Sequence, residues 1–189
     1  KRLMELLKHL NTTTTAATAS ASGLLASSRP SSDKDPSLEN QSQHVSNILW
    51  AFARLRLPVN DRLGKRLQLL CERLMVSFSS QSLSNSMWAF ARLQSHVDKS
   101  LWEAIFFKIT ELESPEPQHV SNILWSLGTL SKRPPDNVTQ ALMSRLSSYT
   151  SASARKESDI RLQTLSNSIW ALGKLSRLPP DQDGGKHSG

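Results

Sequence analysis

Cysteine is almost missing from this chain of 189 residues. Cys71 stands alone, which excludes an intrachain disulfide framework and a multi-cysteine zinc site. No run of apolar residues approaches the roughly 20 that a membrane-spanning helix needs. Apolar residues are scarce overall, 38% of the chain against about 45–50% in ordinary globular proteins. Such a chain has a lean core or carries stretches that bury little. Acid is in short supply too. The 16 Asp and Glu face 23 Lys and Arg, a formal net charge of +7, so polyanions, nucleic acid first, are the expected partners. The histidines His9, His44, His96, His119 and His187 show no ligand spacing with Cys71 or with one another, so no metal site is expected. Phosphate-binding glycine loops, nucleophile elbows and reactive carboxylate pairs do not occur either. The expectation is a protein that is not an enzyme, with no cofactor, no small-molecule substrate and no membrane partner.

What is abundant is repetition, and the tryptophans reveal it. The chain reads QHVSNILWAFARL around Trp50, QSLSNSMWAFARL around Trp88, QHVSNILWSLGTL around Trp125 and QTLSNSIWALGKL around Trp170. These tryptophans stand 38, 37 and 45 residues apart, a unit of about 38 residues with one insertion. In the first copy Val45, Ile48, Leu49, Phe52 and Leu55 recur at helical spacing and form one broad apolar stripe. A break follows, with Pro58 in the first unit and Pro134-Pro135 in the third. Asp61, Asp98 and Asp136 then stand where each can cap a second helix through its carboxylate. Those helices, expected from Leu63, Leu101 and Val138, carry RLGKRLQLLCERL, LWEAIFFKITEL and NVTQALMSRLSSY.

Units are drawn at 43–80, 81–117 and 118–162, with a partial one at 163–178, inside a repeat region of 41–178. Lys1 to Leu10 matches Lys65 to Leu74 at five positions and is taken as the second helix of a preceding unit; a basic transit peptide is the rival reading. Residues 11–40 form a Ser/Thr/Ala-rich insertion expected to be disordered, with a second insertion at 149–160 and a flexible tail at 179–189. The array thus begins and ends within a unit, and its insertions all fall between a second helix and the next first helix.

These residues resemble the octotricopeptide repeat, a family of α-solenoids with a core similar to L-S-N-x-L-W-A-L-A-x-L, although its PPPEW segment has no counterpart here. The resemblance implies an all-α fold, a right-handed-type α-solenoid of helix-turn-helix repeats. It also implies RNA binding in mitochondria or chloroplasts, in transcript stability, splicing or translation, or as an added ribosomal subunit. Three and a half units suffice for only a few nucleotides if each reads one base. The expectation is therefore a mitochondrial ribosomal or ribosome-associated subunit holding rRNA beside other ribonucleoprotein subunits. An organellar mRNA factor, mitochondrial or chloroplast, is the alternative, and a protein-interaction scaffold the alternative of another class.

Plotted on a helix, Gln43, Asn47, Trp50 and Arg54 share one stripe away from the apolar face, as do Gln81, Asn85, Trp88, Arg92; Gln118, Asn122, Trp125, Thr129; and Gln163, Asn167, Trp170, Lys174. Arg54, Arg92 and Lys174 are candidate phosphate contacts, with Arg62, Lys65 and Arg66 beside the second helix of unit one. Side chains identical in every unit cannot distinguish bases. Asn47, Asn85, Asn122 and Asn167 either contact RNA or bond neighbouring backbone. Trp50, Trp88, Trp125 and Trp170 are structural anchors packed beside Ala53, Ala91, Gly128 and Gly173, or stacking platforms. His44, Ser82, His119 and Thr164 vary, and are candidate base readers. They vary in step with Ile48, Ser86, Ile123 and Ser168, however, as side chains adjusting to one another in a packed seam also would.

Overall fold

The computed structural model describes residues 36–150 and 162–179, all within the unit Pro36–Gly189. Among them are seven α-helices and no strand: α1 (Pro36–Leu55), α2 (Asp61–Leu74), α3 (Ser80–Arg92), α4 (Lys99–Glu111), α5 (Pro117–Thr129), α6 (Asp136–Thr150) and α7 (Leu162–Leu175). A single 3-10 turn, Met75–Ser77, follows α2. The tryptophan-bearing first helices are α1, α3, α5 and α7, and the second helices are α2, α4 and α6.

Local chemistry sets the helix starts. Pro117 opens α5, where the missing amide proton costs nothing and the fixed φ already suits a helix. Ser79 caps α3 by accepting from the Ser82 amide at 3.1 Å. The second helices start two residues earlier than the apolar pattern suggests, and the aspartate caps need correcting. Asn60, not Asp61, caps α2, its Oδ1 accepting from the Leu63 amide at 2.9 Å. Asp98 holds the cap position of α4 without a capping bond, because Lys65 Nζ takes its carboxylate at 2.5 Å. Asp136 is already the first residue of α6.

Three of the four first helices, α1, α3 and α5, end in one repeated way. Arg56, Gln94 and Ser131 each adopt positive φ, at 53°, 51° and 53°. The amides of Leu57, Ser95 and Lys132 then reach back to the carbonyls of Phe52, Phe90 and Leu127 at 3.0 Å each. This is a Schellman closure, here made without glycine.

First helices pack on one another in succession, α1 on α3, α3 on α5 and α5 on α7, and these are the most extensive contacts in the fold. Second helices follow suit, α2 on α4 and α4 on α6. The core lies between the two sets, with Leu67, Cys71, Phe78, Leu83, Met87, Leu101, Ile105, Leu124 and Leu142 buried. Trp102 is buried among them and stacks on Phe106 with ring centroids 5.5 Å apart. The expected apolar stripe of α1 is only partly core: Val45 and Leu49 are buried, Ile48 and Phe52 half-buried, and Leu55 exposed.

Two boundaries move. Helix α1 begins at Pro36, so the last five residues of the 11–40 insertion are helical, and α6 runs to Thr150, past the expected start of the second insertion. The readings of 1–10, of 11–35, of the centre of the second insertion and of the tail beyond residue 179 lie outside the described residues.

Candidate nucleic-acid interface

The stripe expected from the sequence is at least partly exposed on each first helix. Gln43, Gln81, Gln118 and Gln163 are all exposed. Asn47 is exposed, while Asn85, Asn122 and Asn167 are half-buried. Gln118 Nε2 donates to Asn122 Oδ1 at 2.8 Å, one turn apart on the same helix. Arg54 and Arg92 are exposed and Lys174 half-buried. The Arg92 guanidinium lies 5.9 Å from the centroid of Trp88, and Lys174 Nζ lies 5.4 Å from that of Trp170. Contacts of this kind contribute about 0.5–1 kcal/mol at exposed sites, and they hold each cation beside an aromatic surface. In the third unit Thr129 takes that place, its hydroxyl oxygen buried.

All four tryptophans are at least partly exposed. Trp50 is 43% and Trp170 48% exposed, and Trp88 and Trp125 are half-buried. One edge of Trp170 packs on α5, where a Cβ placed on Gly128 would lie 3.2 Å from Trp170 Cζ3. Its remaining surface faces water.

The candidate base readers go elsewhere. Ser82 and Thr164 are buried, and their partners Ser86, Ile123 and Ser168 are buried with them. They line the seam between successive first helices. There the Ser121 hydroxyl donates to the Thr164 carbonyl oxygen at 3.0 Å, and the Thr164 hydroxyl donates to Gln118 Oε1 at 3.3 Å. His119 is half-buried, its Nδ1 3.0 Å from the Ser80 hydroxyl and its Nε2 3.9 Å from the Glu116 carboxylate. Burial pulls its pKa below the usual histidine value, with Glu116 opposing. Only His44, on the first helix described, is exposed. The alternation of His/Ile with hydroxyl/Ser is thus a property of the seam, and Ser82 and Thr164 cannot reach a base.

The cations divide into two groups. Lys108 Nζ donates to the Val76 carbonyl at 2.7 Å, and Arg145 donates to the Leu112 and Thr110 carbonyls at 2.5 and 3.3 Å. Each therefore ties a second helix to the end of the one before it, and positive charge is favourable at such a terminus. Arg133 donates to the Leu178 carbonyl at 2.8 Å. These ties escaped the sequence reading, although Lys108 and Arg145 each stand tenth in their helix. The second group faces water. Arg62 is exposed and Arg66 half-buried on α2, and Arg54, Arg92 and Lys174 lie on the stripe. Arg92 and Lys65 meet at an open cleft of about 860 Å³, lined also by Arg56, Gln94, His96 and Asp98.

Comparison with known protein families, curated proteins and solved structures finds no match. Among the described residues no cluster of three metal-ligating side chains forms, and no helix is long and apolar enough to cross a membrane. Cys71 is buried in the core, and burial pushes its thiol up to about 12, with the Ser86 hydroxyl opposing, so it carries no thiolate chemistry near neutral pH.

Proposed function

We propose that the chain is an RNA-binding α-solenoid of the octotricopeptide type, gripping RNA along the exposed stripe of its first helices. The observation that carries the reading is the recurrence of Gln, Asn and Trp along one partly exposed stripe of four stacked helices, with a cation in three of them. Amides donate and accept, half-exposed indoles offer stacking surface, and Arg54, Arg92 and Lys174 supply phosphate contacts, the combination that single-stranded nucleic acid requires. Of the four candidate base readers, Ser82 and Thr164 are buried in the seam and His119 is half-buried, which leaves His44 exposed. Recognition by backbone and stacking, with little sequence preference, follows.

That mode suits a subunit clamping structured RNA within a larger assembly better than selection of one transcript. A mitochondrial ribosomal or ribosome-associated role is accordingly placed ahead of an mRNA factor and of a chloroplast location. Binding to an RNA pool tests the chemistry: affinity should fall steeply as salt rises, and no binding at low salt refutes it in favour of a protein scaffold. Co-sedimentation with mitochondrial ribosomal subunits tests the assembly, and recovery only in ribosome-free fractions refutes that part alone.

A further inference from the structure

The open cleft of about 860 Å³ lies where the turn joining α1 to α2 meets the turn joining α3 to α4. A second cleft, of about 410 Å³, lies at the next pair of turns. Each residue lining the second stands one unit, 38 or 37 residues, beyond a residue lining the first, so the two are copies of one groove. They differ most at the wall formed by the second helix, which carries Gly64 in the first copy and Trp102 in the second. Trp102 lines its groove beside Leu130 and Lys132, and its indole is only 8% exposed. Gly64 puts no side chain there. A Cβ on it would meet only Val59 Cγ1, at an ordinary 3.6 Å, so no close approach of the chain requires the glycine. Glycine inside a helix is destabilising relative to alanine, and its effect in α2 is to keep this copy of the groove open.

The charge of the two copies differs as well. Arg56, Lys65 and Arg92 line the larger cleft, whereas Gln94, Glu103 and Thr129 stand at the equivalent positions one unit on. Asp61 and Asp98 also line it, but Lys65 Nζ meets the Asp98 carboxylate at 2.5 Å. Two exposed arginines are left against Asp61. The rim is apolar, with Leu57 44% exposed and Pro58 exposed, where the smaller copy has Ser95 and His96. Room for a flat bicyclic ring, an apolar rim and a pair of guanidinium groups thus coincide in one copy of the groove. We propose that this cleft takes one unstacked base of a single-stranded RNA, a purine matching the indole of Trp102 in size, with its phosphate held by Arg56 and Arg92. Splayed-out bases of single strands are bound in this manner, and guanidinium forks suit phosphate oxygens. The site rests on the RNA-binding reading above and adds a base pocket to it. Arg92, which lies beside Trp88 and also lines the cleft, is where the stripe and the pocket meet.

Proton–nitrogen correlation spectra of the full chain titrated with adenosine 5′-monophosphate test the pocket without any variant. Amide shifts should centre on Leu57, Gly64, Leu93 and Ser95. They should appear at lower concentration than with inorganic phosphate, or with N-acetyltryptophanamide, which stands in for the aromatic side chain of a protein partner. Gly64→Trp gives the first groove the side chain that the second has, and should abolish the shifts; Gly64→Ala, whose Cβ fits, should keep them. Oligoadenylate should bind Gly64→Trp about fivefold more weakly or worse, while the slope of log affinity against log salt changes by no more than the one phosphate held at the cleft. Should Gly64→Trp lose its helical circular dichroism, Gly64→Leu replaces it. Absence of shifts at the cleft, shifts matched by inorganic phosphate or by N-acetyltryptophanamide, or shifts that survive the filled cleft overturn the proposal. Oligoadenylate bound equally by the wild type and Gly64→Trp overturns it and leaves RNA binding along the stripe standing, whereas a wild type that binds no RNA overturns both.

Discussion

Gly128 and Trp170 touch across the seam between α5 and α7 so closely that a Cβ on Gly128 would lie 3.2 Å from the indole Cζ3. Gly173 occupies the same place one unit later with open space before it. Gly128→Leu should therefore lose about 1–3 kcal/mol of stability through overpacking. Gly173→Leu should lose nothing and gain up to about 0.8 kcal/mol from helix propensity. Urea denaturation at low micromolar protein checks both, and equal losses at the two positions would show that the seam does not explain the glycine.

Ser131 closes α5 with φ at 53°, a left-handed conformation that costs a non-glycine residue about 1–2 kcal/mol. Its side chain is exposed. Ser131→Gly should raise stability by about 0.5–1 kcal/mol, after allowing for the greater freedom of glycine in the unfolded chain. The urea midpoint measures it, and a lowered midpoint contradicts the assigned cap.

His119 has its pKa pulled down by burial, with Glu116 acting the other way. The unfolded chain then binds a proton that the folded one resists, so stability is full above the unfolded value, about 6.5. It is lost as pH falls from there toward the lower folded value. Thermal melts at pH 7.5 and pH 5.5 should differ less in His119→Gln than in the wild type. An undiminished difference would assign the pH dependence to other groups.

Much of this was legible because the repeat shows which positions are equivalent. The partly exposed stripe follows from helical spacing alone. The seam was visible only as covariation of His44 with Ile48 and of Ser82 with Ser86. Periodicity on one helix separates buried from exposed sides, but does not say whether a half-polar side meets water or another helix. Helical spacing therefore leaves Ser82 and Thr164 open between base readers and a packed seam, and it is α1 and α5, lying on them, that bury both. Capping went astray for a similar reason. Asp98 is a good cap by local rules, but Lys65, distant in sequence, takes its carboxylate, and the side chain of Gln68 binds its amide at 3.0 Å. Nor does any glycine announce the turns at Arg56, Gln94 and Ser131.

The RNA-binding account stands most directly on Arg54, Arg92 and Lys174. The measurement is the slope of log affinity against log salt for single-stranded RNA, comparing the wild type with Arg54→Ala/Arg92→Ala/Lys174→Ala. Each phosphate contact on a single strand contributes about 0.7 to that slope, so the triple variant should flatten it by about 2. Arg62→Ala/Lys65→Ala/Arg66→Ala, which removes equal charge from α2, should flatten it less. A slope unchanged by the stripe variant would contradict the account.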